Sequence, residues 1–97
     1  RLRARKVPQI GWNTVLQRRA SPLWQGIGDG AYAYFLHSYC VEAEDPSIVC
    51  GVTPYEEEFC SAISAGNVHA IQFHPEKSSR VGLIILANFG RLVSRWT

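Results

Sequence analysis

Val68-His69-Ala70-Ile71-Gln72-Phe73-His74-Pro75-Glu76-Lys77-Ser78 is the stretch on which the reading of the fold turns. Its apolar first half reads as a strand, Val68 to Phe73, that delivers a histidine at its end. A residue before proline is pushed out of the helical region, so His74 is expected to stay extended. Pro75 fixes its own φ and stiffens the corner. Residues two apart in an extended segment point the same way, which lets His74 and Glu76 approach each other. A carboxylate accepting from one imidazole nitrogen fixes the tautomer and leaves the other nitrogen as a base. That is the base-and-orienter half of a nucleophilic triad. On spacing alone, a histidine near a glutamate is more often a structural pair.

Downstream, Ser78 or Ser79 is the expected N-cap of a helix over Arg80 to Ser94. Its apolar positions Val81, Ile84, Ile85, Phe89 and Leu92 follow helical spacing, and Arg91 and Arg95 sit near the negative C-terminal end. Gly82 and Gly90 each weaken such a helix by up to about 1 kcal/mol relative to Ala. Upstream, Phe59 to Ile63 and Val68 to Phe73 read as two strands of a hairpin around Ala65-Gly66-Asn67. Glu56 to Glu58 reads as a charged turn, Ser47 to Val52 as another strand, and the acidic stretch with Pro46 as a loop. Ala31 to Leu36 is aromatic and strand-like, with Tyr32, Tyr34 and Leu36 on one face, and runs into His37-Ser38-Tyr39-Cys40. A turn-rich stretch, Ser21-Pro22 and Gly26 to Gly30, precedes it. Val7 to Trp12 reads as a short strand that Pro8 confines to an edge or to its own beginning. Strands closed by one helix imply an α/β or α+β layer structure, with too few helices to cover both faces of a sheet.

The chain has 97 residues and no Met, enough for one domain at most. A composition 46% hydrophobic and 19% charged excludes disorder. The longest apolar run, Leu83 to Ala87, is far short of the roughly 18 residues of a membrane span. Arg1 to Lys6 has the charge of a signal peptide's first region, but no apolar stretch follows, so a cytoplasmic, membrane-free protein is expected. Six of ten basic residues lie in the first 19 positions, and six of eight acids lie between 42 and 58. A solvated edge or an acidic partner explains the basic arm better than nucleic acid, since no aromatics are interleaved with it. Cys40, Cys50 and Cys60, spaced by ten, match neither a zinc pattern nor a closed disulfide set and read as reduced packing residues. His69 and His74, five apart, would face opposite sides of one strand, so no metal site is expected.

Taken whole, Ile71 to Ser78 resembles the His-Pro-Glu signature of class I glutamine amidotransferases, in which a Cys, His and Glu hydrolyse glutamine to release ammonia. Lys6-Val7-Pro8-Gln9-Ile10-Gly11-Trp12-Asn13 and Tyr34-Phe35-Leu36-His37-Ser38-Tyr39 are similar to the glutaminase subunits of imidazole glycerol phosphate synthase. Phe59-Cys60-Ser61-Ala62-Ile63, Gly66-Asn67, Gly82-Leu83 and Asn88-Phe89 follow in the same order, so the resemblance runs from about residue 6 to 93. It implies an α/β, flavodoxin-like fold, of which this chain is the strand-rich C-terminal half with a closing helix, residues 1–97 of a single domain. By the same resemblance His74 is the general base, Glu76 its orienter, and Ser38 and Tyr39 part of the glutamine-binding segment. Trp12, Asn13, Tyr34 and Lys77 match positions facing a cyclase subunit in a heterodimer; on their own residues, Lys77 reads as a surface lysine and Trp12 as a core aromatic. His37 reads as support for the turn.

The resemblance implies no cofactor. The family's nucleophile lies in a Gly-x-Cys-x-Gly turn, and none of Cys40, Cys50 and Cys60 has flanking glycines on both sides. The expectation is therefore a piece lacking its nucleophile, inactive alone, with unpaired edges that favour self-association. A non-catalytic docking module, or the glutaminase of another class I amidotransferase, are the alternatives.

Overall fold

The first strand of the computed structural model, β1 (Leu2–Gln17), is far longer than the Val7 to Trp12 segment read from sequence. The structure describes residues 2–55, 57–66 and 68–94; the sequence readings at Glu56, Asn67 and Arg95 lie outside the described residues. Pro8 sits where the register of β1 against β2 (Ala31–Ala43) slips, between the Lys6–Tyr39 and Gln9–His37 pairs. β1 meets β3 (Val49–Tyr55) only at Leu16 and Gln17, so the missing N–H of Pro8 falls in an interruption of one ladder and faces no second one. Within the segment read from sequence Gly11 takes a φ of 128°, one that L side chains rarely adopt, and the strand runs on through it.

The sheet order is β2-β1-β3-β4-β5, with β4 Glu57–Ala65 and β5 Val68–Ile71. All four ladders are antiparallel. This is the strand-rich portion that the sequence led us to expect. Glu57 and Glu58, read from sequence as part of a turn, belong to β4 and pair with Tyr55 and Pro54. Ala65 pairs with Val68 across the expected hairpin. β5 stops at Ile71, two residues short of Phe73, although Gln72 N–H still donates to the Ser61 carbonyl at 2.8 Å.

Alternation along β2 puts Ala33 and Phe35 inside and Tyr32 and Leu36 outside. The three residues read as one face, Tyr32, Tyr34 and Leu36, do share a side, and it is the outer one. On the inner side Phe35 stands edge-on to Phe59 and Phe73, with ring centroids 5.6 and 5.9 Å away. Each buried side chain of this size contributes about 1.5–3 kcal/mol. Trp24, within a single 3-10 turn (Pro22–Trp24), closes the core and donates its indole N–H to the Cys50 carbonyl at 3.2 Å. The two charge clusters meet in part: Arg18 pairs with Glu58 at 2.6 Å on the surface.

The helix α1 (Ser79–Ser94) matches the expected span within one residue. Ile85 is fully buried, and Val81, Phe89 and Leu92 pack against the core from the same face. Asn88, in the middle of that apolar stripe, is buried because its amide donates to the Leu23 and Gln25 carbonyls at 2.5 and 3.0 Å, tying α1 to the 3-10 turn. Gly82 lets α1 lie directly on the segment Pro75–Lys77, a second 3-10 turn.

A Cβ at Gly82 would stand 1.8 Å from the Pro75 carbonyl oxygen, a backbone atom that cannot swing aside, whereas one at Gly90 meets nothing within 4 Å. Intrinsic helix propensity favours Ala at both positions by about 1 kcal/mol. Overpacking costs about 1–3 kcal/mol and outweighs that gain only at Gly82. Chemical denaturation is expected to show Gly82→Ala destabilising and Gly90→Ala neutral to stabilising by up to about 1 kcal/mol.

Candidate active site at the His74 corner

β2 is one of the two outermost strands of the sheet, and residues two apart on it turn their backbone groups toward the same edge. Tyr34 and Leu36 present theirs to the segment that follows β5. His74 N–H donates to the Tyr34 carbonyl at 2.9 Å, and Tyr34 N–H donates to Ser78 Oγ at 2.9 Å. Ser78 O–H donates in turn to the His74 carbonyl at 2.6 Å. From inside, buried Phe73 anchors the corner on Phe35. The corner therefore covers the open edge of β2 while standing on the aromatic core.

His74 takes φ −96° and ψ 102°, the extended conformation that the following proline demands. Its Nδ1 lies 2.9 Å from Glu76 Oε2, so the two side chains meet as their spacing suggested. Glu76 is held below the ordinary carboxylate range, first by the hydrogen bond from His74 and then by one from its own backbone N–H. An ionised carboxylate only accepts, so Nδ1 carries the proton. Nε2 lies 3.1 Å from the Leu36 carbonyl oxygen, also an acceptor. Both partners are satisfied together only by the doubly protonated ring. In the neutral ring Nε2 is a lone pair available as a base.

The other sequence-selected residues are spread over β1, β2 and the Pro75–Lys77 turn. Ser38 and Tyr39 are exposed on β2. Ser38 lines an open hollow of about 510 Å³ with Pro8, Gln9, Ile10, Leu36, His37 and Tyr55. Leu36 thus borders the hollow with its side and holds the His74 ring with its carbonyl. Trp12 and Tyr34 oppose each other across the β1–β2 ladder, with rings edge-on at 5.7 Å. Trp12 is half exposed rather than a core aromatic. Lys77 is exposed in the 3-10 turn beside Glu76. Asn13 turns inward to the sheet, its amide donating to the Pro54 carbonyl at 2.7 Å and its oxygen accepting from Thr14 N–H. The His37 ring stands edge-on to Phe35 and Phe59, at 5.9 and 5.2 Å.

None of the three cysteines forms a disulfide among the described residues. Burial pushes the Cys60 thiol up to about 11 and raises Cys50 as well. Both stay protonated near neutral pH, the opposite of an activated nucleophile. Cys50 donates to Ser64 Oγ at 3.5 Å, and Ser64 Oγ lies 2.8 Å from both His69 Nδ1 and Ser21 Oγ, a tie between the β4–β5 hairpin and the Pro22–Trp24 turn. His69 is thereby engaged away from the His74 corner. Among the described residues no group of three metal-ligating side chains gathers, and no helix is long and apolar enough to cross a membrane.

Sequence reasoning assigned Ser78 only a capping role and gave Leu36 none. A serine four residues after His74 in a tight turn is placed to bond back to that carbonyl, a signal that was readable. A backbone acceptor such as the Leu36 carbonyl leaves no side-chain trace.

Comparison with known proteins places this geometry in context. The model of the family described as glutamine amidotransferase class-I matches residues 2–91. The imidazole glycerol phosphate synthase subunit HisH of Deinococcus radiodurans is 58% identical over 87 residues, covering 90% of this chain and 40% of the relative. The same-named subunit of Thermococcus kodakarensis is 53% identical over 92 residues, covering 90% of this chain and 47% of the relative. That of Thiobacillus denitrificans is 49% identical over 84 residues, covering 87% and 37%. The chain thus spans less than half the length of these curated relatives. With the His-Pro-Glu corner formed and nearly the whole sequence matched, the chain belongs to the class I glutamine amidotransferase family, whose α/β fold it shares in part.

Proposed function

We propose that this chain is the C-terminal portion of a glutaminase that hydrolyses glutamine and hands the ammonia to a cyclase subunit of imidazole glycerol phosphate synthase, in histidine biosynthesis. The observation that carries the reading is the 2.9 Å contact of His74 Nδ1 with Glu76, on a corner locked to the edge of β2. The names of the relatives support the same assignment.

In this reading Glu76 fixes the tautomer, and Nε2 of His74 takes the proton from a cysteine thiol as its sulfur attacks the glutamine side-chain carbonyl. The imidazolium returns that proton to the departing nitrogen, which leaves as ammonia. Water, its proton taken by Nε2, then cleaves the thioester to glutamate and the free thiol. Thiol, imidazole, carboxylate and water suffice, so the step needs no cofactor. The thiol belongs to the remainder of the domain, because Cys40 is buried, Cys50 and Cys60 are held protonated, and the His74 ring bonds to Glu76 and Leu36. This chain alone is accordingly inactive. The hollow beside Ser38, with Tyr39 next in the strand, receives the α-amino and α-carboxylate end of glutamine. We place the protein in the cytoplasm.

The cyclase subunit docks on the outer face of the β1–β2 ribbon. Ile10, Trp12, Tyr32 and Leu36 are exposed there, an apolar row that water alone would not favour. Trp12 and Tyr34 form its aromatic pair, and Lys77 supplies a charge at its end. Asn13 contributes by holding β1 to Pro54 beneath it.

In the full-length subunit, His74→Ala is expected to lower glutaminase kcat by about 10²- to 10⁴-fold, measured as ammonia release; full activity would remove the base assignment. Glu76→Gln is expected to lower kcat while leaving glutamine binding in place. Because the carboxyl of Glu76 is lowered in the folded chain, its contribution to stability is full above the ordinary carboxylate range and fades as pH falls through the folded value. The stability difference between wild type and Glu76→Gln should therefore shrink in acid, which denaturation across pH checks. Trp12→Ala is expected to weaken cyclase binding about tenfold or more by calorimetry, and unchanged binding would relocate the interface.

A further inference from the structure

We infer that Ser78 is a positioning residue for the His74 base, acting through the backbone of the corner and not at the substrate. The inference rests on the reading of His74 as the base. Ser78 is 1% exposed, and its hydroxyl closes a cycle of three hydrogen bonds with His74 and Tyr34. His74 gives its N–H to the Tyr34 carbonyl, Tyr34 gives its N–H to Ser78 Oγ, and Ser78 gives its O–H to the His74 carbonyl. Both backbone groups of the base are thus tied to one strand residue.

The placement of this hydroxyl costs the helix something. The Ser78 carbonyl accepts from Gly82 N–H at 3.1 Å, so Ser78 stands where an N-cap side chain would serve the first turn of α1. Its hydroxyl turns away from those N–H groups to the corner. Ser79 beside it takes a φ of 52°, a left-handed value uncommon outside glycine. Gly82 then brings α1 against Pro75 at a distance no side chain would allow. Cap, backbone conformation and helix packing all yield to the position of the corner.

The clamp sets where the ring reaches. Leu36, two residues from Tyr34 on the same strand, supplies the carbonyl that meets Nε2, so a corner sliding along β2 would lose its aim at the site. Without the hydroxyl, Tyr34 N–H loses its acceptor and the His74 carbonyl keeps only Lys77 N–H, at 3.1 Å. Ser78 is not among the residues lining the hollow with Ser38. Its loss is therefore expected in kcat and not in KM.

The test uses the full-length subunit with its cyclase partner, comparing Ser78→Ala, Ser78→Thr, Asn88→Ala and His74→Ala in kcat, KM for glutamine, the pH profile of kcat, and Tm. Asn88→Ala breaks a buried tie of α1 away from the corner and controls for stability alone. Expected are a kcat about ten- to a hundredfold lower for Ser78→Ala, a nearly unchanged KM, and a displaced acid limb. Ser78→Thr, which keeps the hydroxyl, should recover most of kcat, and Asn88→Ala should keep kcat and profile despite a lower Tm. Unchanged kcat and profile in Ser78→Ala overturn the inference, as do losses that follow Tm across all variants. If Ser78→Ala does not fold, Ser78→Cys, a weaker donor of similar size, decides on the same readouts. Activity retained by His74→Ala would instead bring down the base assignment, a separate outcome.

Discussion

The pairing of the His74 corner with the outer edge of β2 is the constraint on which this structure depends. An edge strand exposes N–H and carbonyl groups that seek partners. Here Tyr34 finds both of its partners in the corner, one from the His74 backbone and one from Ser78. His74 comes only three residues after the end of β5 at Ile71, so the outer edge of β2 must lie close to the end of β5, although the two are the outermost strands in the sheet order. The start of α1 follows, because Gly82 must pass the Pro75 carbonyl. The far half of α1 is then fastened by Asn88 to the turn at Leu23 and Gln25. One edge interaction thus orders the helix, His74 and the core aromatic Phe73.

Much of this was legible in sequence, for physical reasons that differ between elements. The helix was legible because its core-facing stripe, Val81, Ile85, Phe89 and Leu92, repeats at helical spacing. The His74–Glu76 contact was legible because Pro75 leaves the preceding residue little freedom. Strand lengths were not. Pro8 looks like a limit to the strand, yet it falls at a register slip, and Gly11 takes a conformation open to it. His37-Ser38-Tyr39-Cys40 continues β2 because its pairing with β1 overrides weak local preference. Asn88 and Ser78 were missed as ties because each depends on carbonyls contributed by distant or turned segments. Polar residues on an apolar stripe announce such ties only in outline.

The charge pattern has a similarly local explanation at several points. Asp45 accepts from Ser47 N–H and O–H, which lowers its carboxyl and caps the 3-10 turn at Pro46. Asp29 accepts from Gln17 N–H at 2.7 Å, closing the connection into β2. Arg18 reaches Glu58 across forty positions. An exposed pair of this kind is worth about 0–1 kcal/mol, so it joins the two charge clusters without holding the fold. The acids in these loops act as backbone acceptors first and as charges second.

The three histidines show how far neighbours, and not residue type, decide chemistry. His69 meets a serine, and its ring is absorbed into a chain of hydroxyls that joins a hairpin to a turn. His37 lies against Phe35 and Phe59, where its ring serves the packing of the aromatic core. His74 meets a carboxylate at Nδ1 and a carbonyl at Nε2, the arrangement in which an imidazolium has an acceptor at each nitrogen. In the role proposed for it, a proton taken at Nε2 turns His74 into that imidazolium. In that proposed role the ring would first have to turn from the Leu36 carbonyl to meet a thiol. The backbone of the corner is tied to Tyr34 and Ser78, whereas the ring is held through its own hydrogen bonds to Glu76 and Leu36, so the ring turns by breaking the second of these while Cα stays in place.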